Sequence, residues 1–114
     1  MKTTTNVGRI AEAKVATYLQ ALGFKIIDKN WRNRSCEIDI IASKDETIYF
    51  VEVKYRRSSN WGKGVDYITN KKLKQMVYAS EFWVSENNWS GDYQLAVAEV
   101  SGVDFEITNF LNNL

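Results

Sequence analysis

Side chains alternate along a β-strand, so in the run Ile48-Tyr49-Phe50-Val51-Glu52-Val53-Lys54-Tyr55 the residues Ile48, Phe50, Glu52 and Lys54 share one face. Glu52 and Lys54 are neighbours on it. In a second run, Glu37-Ile38-Asp39-Ile40-Ile41-Ala42, the same alternation groups Glu37, Asp39 and Ile41, and a hairpin turning near Ser43 to Glu46 brings Asp39 toward Glu52. Two carboxylates then converge on a cation while an ammonium stays within reach. Phosphodiester hydrolysis asks for such a set: carboxylate oxygens for a divalent ion, an ion to polarise phosphate and acidify water, and a positive group to offset developing charge. Asp39 and Glu52, with the Val53 carbonyl, are expected to hold Mg²⁺ or Mn²⁺. Lys54 is expected to orient the attacking water or stabilise the pentavalent phosphate. Glu12, carried over the sheet by the first helix, is expected to hold a water or a second ion.

An acidic-x-Lys pair is weak by itself, because any solvated strand face can carry one. The surroundings give it weight. Glu52 and Lys54 lie in a run too apolar for a solvated strand, Asp39 lies within Ile38 to Ala42, and Glu12 edges an apolar helical arc. Charges at such positions are costly unless paired or metal-bound. A structural alternative, with Lys54 bridging buried carboxylates, stays open.

Composition narrows the chemistry further. The 114 residues contain no histidine, which removes Ser-His-Asp and Cys-His nucleophile systems and every histidine-containing metal triad. Cys36 is the single cysteine, too little for a disulfide or a structural zinc site. What remains is carboxylate, lysine, hydroxyl and backbone chemistry, which favours hard cations. The net charge of +1 conceals a segregation: residues 1–74 hold all 15 basic residues against 8 acidic ones (+7), and residues 75–114 hold the other 6 acidic residues (−6). That balance suits a nucleic-acid partner, although ordinary charge scatter on a small surface produces it too. With no apolar leader and no run of membrane-spanning length, a cytoplasmic location is expected.

The elements that must position these residues follow from periodicity. Asn6 to Leu22 reads as a helix stopped by Gly23, with Val7, Gly8, Ala11, Val15, Tyr18, Leu19 and Leu22 on its apolar arc. Phe24 to Asp28, Glu37 to Ala42 and Thr47 to Tyr55 read as strands, the last two an antiparallel hairpin. Arg56 to Asp66 reads as a loop. Thr69 is a candidate N-cap for a helix running to about Glu86, with Leu73, Met76, Val77, Ser80, Trp83 and Val84 on one face, Lys72 at its border and Lys71 and Lys74 turned away. Leu95 to Val100 and Val103 to Ile107 read as a second hairpin, followed by a short helix over Phe110 to Leu114. Residues 1–114 are therefore expected to form one α/β domain, a mixed sheet with a helix on each face.

Taken together, Gly8-Arg9, Ala11-Glu12-Ala13, Leu22-Gly23-Phe24-Lys25-Ile26-Ile27, Asn30-Trp31-Arg32, Glu37-Ile38-Asp39-Ile40-Ile41-Ala42, Phe50-Val51-Glu52-Val53-Lys54-Tyr55-Arg56 and Lys72 resemble the YraN-like family of predicted bacterial endonucleases. That family is similar to archaeal Holliday junction resolvases within the restriction-endonuclease-like PD-(D/E)XK group. The resemblance covers nearly the whole chain. It implies a three-layer sandwich of that type, metal-binding acidic residues at Asp39 and Glu52, the group's lysine at Lys54 and its helical glutamate at Glu12. The chain departs from the family pattern in having Cys36 where glycine is frequent, Ala11 where glycine is usual, and Tyr93-Gln94-Leu95 in place of Arg-Phe-Asp.

The expected activity is Mg²⁺- or Mn²⁺-dependent endonuclease cleavage of structured or branched DNA. Arg32, Arg56, Arg57, Lys63 and Lys72 are candidate phosphate contacts, and Trp61 could stack on a base or merely cap the core. Tyr78 and Phe82, opposite the apolar face of the second helix, are a candidate surface for a homodimer. A non-catalytic nucleic-acid-binding module on the same fold is the alternative.

Overall fold

The computed structural model describes residues 6–57, 68–112 and 114. Helix α1 (Asn6–Ala21) buries Ala11, Glu12, Val15, Ala16 and Leu19. Their spacing follows the helical period. The arc is narrower than the periodicity predicts, because Val7 and Leu22 at its two ends are exposed. Gly23 ends the helix at φ +97°, where its N–H bonds to Gln20 O and the Phe24 N–H reaches back to Leu19 O. This is a Schellman stop, which needs a residue free to adopt the left-handed conformation. It delivers Phe24 onto Leu19 in the core.

Three strands follow, β1 (Lys25–Arg32), β2 (Glu37–Lys44) and β3 (Thr47–Arg56), then helix α2 (Asn70–Glu86) and strands β4 (Asp92–Ser101) and β5 (Glu106–Asn112). They form one five-stranded sheet in the order β1-β2-β3-β4-β5. All neighbours are antiparallel except β3 and β4, which run parallel with α2 on the crossover between them. Thr69 caps α2, its hydroxyl accepting the Lys72 N–H at 3.0 Å. The expected helix over Phe110 to Leu114 does not form. Phe110, Leu111 and Asn112 instead pair with Ala98, Val97 and Ala96, extending β5 along β4 and satisfying backbone groups that an open edge would leave unpaired.

The sheet separates two cores. α1 covers Ile40, Ala42, Val51, Ala96, Ala98 and Val100, while α2 covers Ile38, Ile41, Ile48 and Phe50 through Ala79 and Trp83. A mixed sheet with a helix on each face is thus what the chain builds. On α2 the buried stripe is Met76, Ala79, Ser80 and Trp83, whereas Val77 is exposed. Among the described residues no helix is long and apolar enough to cross a membrane.

Candidate active site

The expected alternation along β2 breaks at Asp39. Ile41 pairs with Phe50 on the α2 side and Ile40 with Val51 on the α1 side, as a regular strand requires, but Ile38 returns to the α2 side. Across β1 the irregularity coincides with Asn30, held at φ +55° between the pairs Lys29↔Ile40 and Trp31↔Ile38. Asparagine tolerates that conformation better than most residues. Glu37, Asp39 and Ile41 consequently do not form the single face that a period of two gives them.

The same point is where β2 and β3 part. Their pairing runs from Lys44↔Thr47 to Ile40↔Val51 and stops, although β2 reaches back to Glu37 and β3 onward to Arg56. Beyond the fork the carboxylate of Asp39 replaces the missing ladder partner: its Oδ2 accepts the Val53 N–H at 2.9 Å. Asp39 is 1% exposed. One oxygen of a buried carboxylate is thereby fixed against the Val53 backbone, next to Glu52.

On the α2 side of this opening, Glu52 is 6% exposed and both its oxygens face ammonium groups. Lys54 Nζ lies 3.5 Å from Oε2, and Lys72 Nζ, supplied by α2, lies 3.3 Å from Oε1. Glu52 and Lys54 line the floor of a cleft of about 830 Å³, walled on one side by Lys72, Gln75 and Met76 and on the other by the turn over residues 32–37. Asn33 makes that turn rigid. Its Oδ1 accepts the N–H groups of Ser35 (2.8 Å) and Cys36 (2.9 Å) and the Cys36 thiol (3.2 Å), an Asx turn that leaves Arg32 and Arg34 lining the cleft. Burial pushes the pKa of the Cys36 thiol up, which makes it a poor nucleophile. Four cationic side chains thus meet two carboxylates, Glu37 and Glu52, around one opening.

The remaining sequence candidates are placed as follows. Glu12 is 5% exposed on α1, which packs on the opposite side of the sheet from Glu52 and Lys72. Arg56 lies at the end of β3 beside β4, its carbonyl accepting the Gly102 N–H at 2.9 Å, and Arg57 is exposed just beyond. Trp61 and Lys63 lie outside the described residues. Tyr78 and Phe82 are exposed on α2, with the Phe82 ring 6.1 Å from that of Trp31.

Sequence reading did not single out Glu99. It is 5% exposed, stands beside Lys54 in the parallel β3–β4 register, and its Oε1 accepts from Thr108 Oγ1 (3.1 Å) and Asn109 Nδ2 (2.7 Å). A carboxylate inside the apolar stretch Leu95 to Val100 was the available signal.

Among the described residues no three His, Cys, Asp or Glu side chains come together as a metal-holding group. What the fork offers is the pair Asp39 and Glu52. The donor type fits Mg²⁺, which binds hard oxygens, commonly through one or two carboxylates, and keeps several of its waters.

Comparison with known proteins places the chain in a family. A model described as "Uncharacterised protein family UPF0102" matches residues 11–105, a span that includes Asp39, Glu52, Lys54 and Lys72. A UPF0102 protein of Sulfurihydrogenibium sp. (strain YO3AOP1) is 40% identical over 99 residues, covering 86% of each chain. One from Chlorobium chlorochromatii is 37% identical, covering 86% of this chain and 76% of its own. Another, from Vibrio parahaemolyticus, is 32% identical over 109 residues, covering 94% of this chain and 89% of its own. The matched span and the level of identity together establish that the chain belongs to the UPF0102 family.

Proposed function

We propose that this protein is a divalent-metal-dependent endonuclease of the cytoplasm, with a restriction-endonuclease-like sandwich fold, that hydrolyses the phosphodiester backbone of structured DNA. The observation that carries the reading is the fork. Where β2 and β3 separate, the buried Asp39 carboxylate accepts the Val53 N–H, and the residue before it on β3, Glu52, lines with Lys54 a cleft rimmed by Arg32, Arg34 and Lys72. Asp39 and Glu52, with the Val53 carbonyl, would hold Mg²⁺ or Mn²⁺. Such an ion supplies Lewis-acid polarisation of the phosphate and a more acidic water.

The protein's own groups account for the rest. The Lys54 ammonium offsets the extra negative charge that develops on the phosphate oxygens as the attacking oxygen adds. Its tether to Glu52 holds it there before substrate arrives, which spares reorganisation during the reaction. Arg32 and Arg34, carried at the cleft by the Asn33 turn, would contact flanking phosphates and keep the strand in register without reading sequence.

Purified wild type, Asp39→Asn, Glu52→Gln and Lys54→Met, incubated with Mn²⁺ on single-stranded, duplex, flap and four-way-junction DNA, test the assignment. Each variant is expected to lose at least about 100-fold in cleavage rate while keeping its circular dichroism spectrum. Undiminished cutting by Asp39→Asn would overturn it. One observation favours a second reading: Glu52 is already engaged by two lysines, and such ion pairing suits a binding module as well. In that case DNA binding persists in all three variants and no substrate is cut by wild type.

A further inference from the structure

Lys72 stands where helix physics argues against it. Thr69 is the N-cap of α2, so Lys72 occupies the third helical position, the place a capping box gives to Glu or Gln. The first turn of α2 contains Lys71 and Lys72 and no acidic residue, so the positive end of the helix dipole faces two positive side chains. Exposed lysines could turn to solvent. The Lys72 side chain instead reaches over the sheet to Glu52 Oε1, at 3.3 Å, with about a quarter of its surface exposed. A local preference set aside for one long-range contact marks that contact as selected for something other than helix stability.

The partner is informative. Glu52 already has an ammonium from its own strand in Lys54, so Lys72 is a second cation on one carboxylate, and it lines the same cleft as Arg32 and Arg34. Two ammonium groups on both oxygens of a carboxylate oppose a divalent cation at the same oxygens, by occupying them and by repulsion. The same Lys72 ammonium lies within the opening through which a phosphate would approach Lys54.

We propose that Lys72 is a positioning residue with two alternative partners, the Glu52 carboxylate and a substrate phosphate, and that it competes with the divalent cation for Glu52 until a phosphate draws it away. This inference rests on the nuclease reading of the site. It makes metal uptake weak in the absence of nucleic acid and stronger once a strand lies in the cleft, which protects against unproductive metal loading. By thermodynamic reciprocity the metal strengthens phosphate binding by the same factor.

The test is a pair of measurements on the full chain. Mn²⁺ binding without nucleic acid is followed by calorimetry for wild type, Lys72→Met, Lys72→Gln and Lys72→Arg. Binding of a labelled single-stranded oligonucleotide is followed by fluorescence anisotropy in EDTA across a salt series. Lys72→Met is expected to bind Mn²⁺ about tenfold more tightly than wild type, yet to bind DNA more weakly, with the salt slope reduced by about one counterion. Lys72→Gln, which suits the capping position, gives the same pair of shifts if the methionine variant folds poorly. Lys72→Arg keeps both properties near wild type. Mn²⁺ affinity unchanged or lowered in Lys72→Met and Lys72→Gln overturns the inference and leaves the nuclease reading standing. No Mn²⁺ uptake by any of the four proteins overturns both.

Discussion

The two ends of the β2–β3 hairpin use the same strands for opposite purposes. Toward the turn, Ile40 to Lys44 pair in unbroken register with Thr47 to Val51, and the side chains between the helices are apolar and almost fully buried. Toward the open end the register stops, a carboxylate takes the place of a backbone carbonyl, and the side chains are Asp39, Glu52 and Lys54. Backbone pairing is the cheapest way to satisfy buried N–H and C=O groups. Giving it up frees the space between two strands for side chains, and the closed end supplies the rigidity that fixes them there. On the proposed reading the molecule separates stability from chemistry along a single hairpin.

That separation can be broken by experiment at either end. The largest effect on stability is expected at Phe50, 1% exposed and in edge contact with Trp83 and Tyr93, on the paired half. Phe50→Ala should cost about 3–5 kcal/mol in urea unfolding, whereas Glu52→Gln, two residues along the same face, should cost clearly less, because the amide keeps the shape of the carboxylate and the two lysines left behind are partly solvated. Comparable losses at both positions would show that the open end belongs to the structural core and would remove the contrast.

Asp39 belongs to both halves of the argument, and its two substitutions sharpen it. Asp39→Ala strands the part-buried Val53 N–H and should cost about 1–3 kcal/mol in addition to activity. Asp39→Asn keeps a carbonyl oxygen for that N–H, so it should retain most of the stability and still fail to cut. Equal destabilisation by the two variants would mean that the hydrogen bond to Val53 does not hold the fork.

How much of this was legible in the sequence depends on how local the cause is. Glu52 and Lys54 share a face because they sit two apart in one strand, and α2 begins at Thr69 because a threonine before a helical period is a cap. Both follow from neighbouring residues. The break at Asp39 does not, since it lies across from Asn30, a residue of another strand held at positive φ. Likewise, Phe110 to Asn112 have no local reason to extend. They become strand because β4 offers them partners. Periodicity places the Lys72 side chain at the border of the α2 face, but its carboxylate lies on β3, and no spacing rule links the two. Glu99 shows locally only as a charge in an apolar stretch; the donors that hold it, Thr108 and Asn109, come from β5.

The smallest effect is expected at the closed end and tests the separation from the other side. The two turn residues, Asp45 (φ +52°) and Glu46 (φ +66°), both adopt left-handed conformations, as the tight turn of a twisted hairpin requires. Aspartate tolerates this; glutamate has no short side chain to bond locally and bears a steric cost of about 1–2 kcal/mol. Glycine removes that cost but loses more freedom on folding, by about 0.5–1 kcal/mol. Glu46→Gly should therefore stabilise the protein modestly, by about 0.5–1 kcal/mol, read as a rise in the urea midpoint at unchanged slope. Because the turn lies at the opposite end of the hairpin from Asp39 and Glu52, neither Mn²⁺ affinity nor cleavage rate should move with it. A change in either would mean that strain at the turn is transmitted to the fork, and that the closed end tunes the site as well as supporting it.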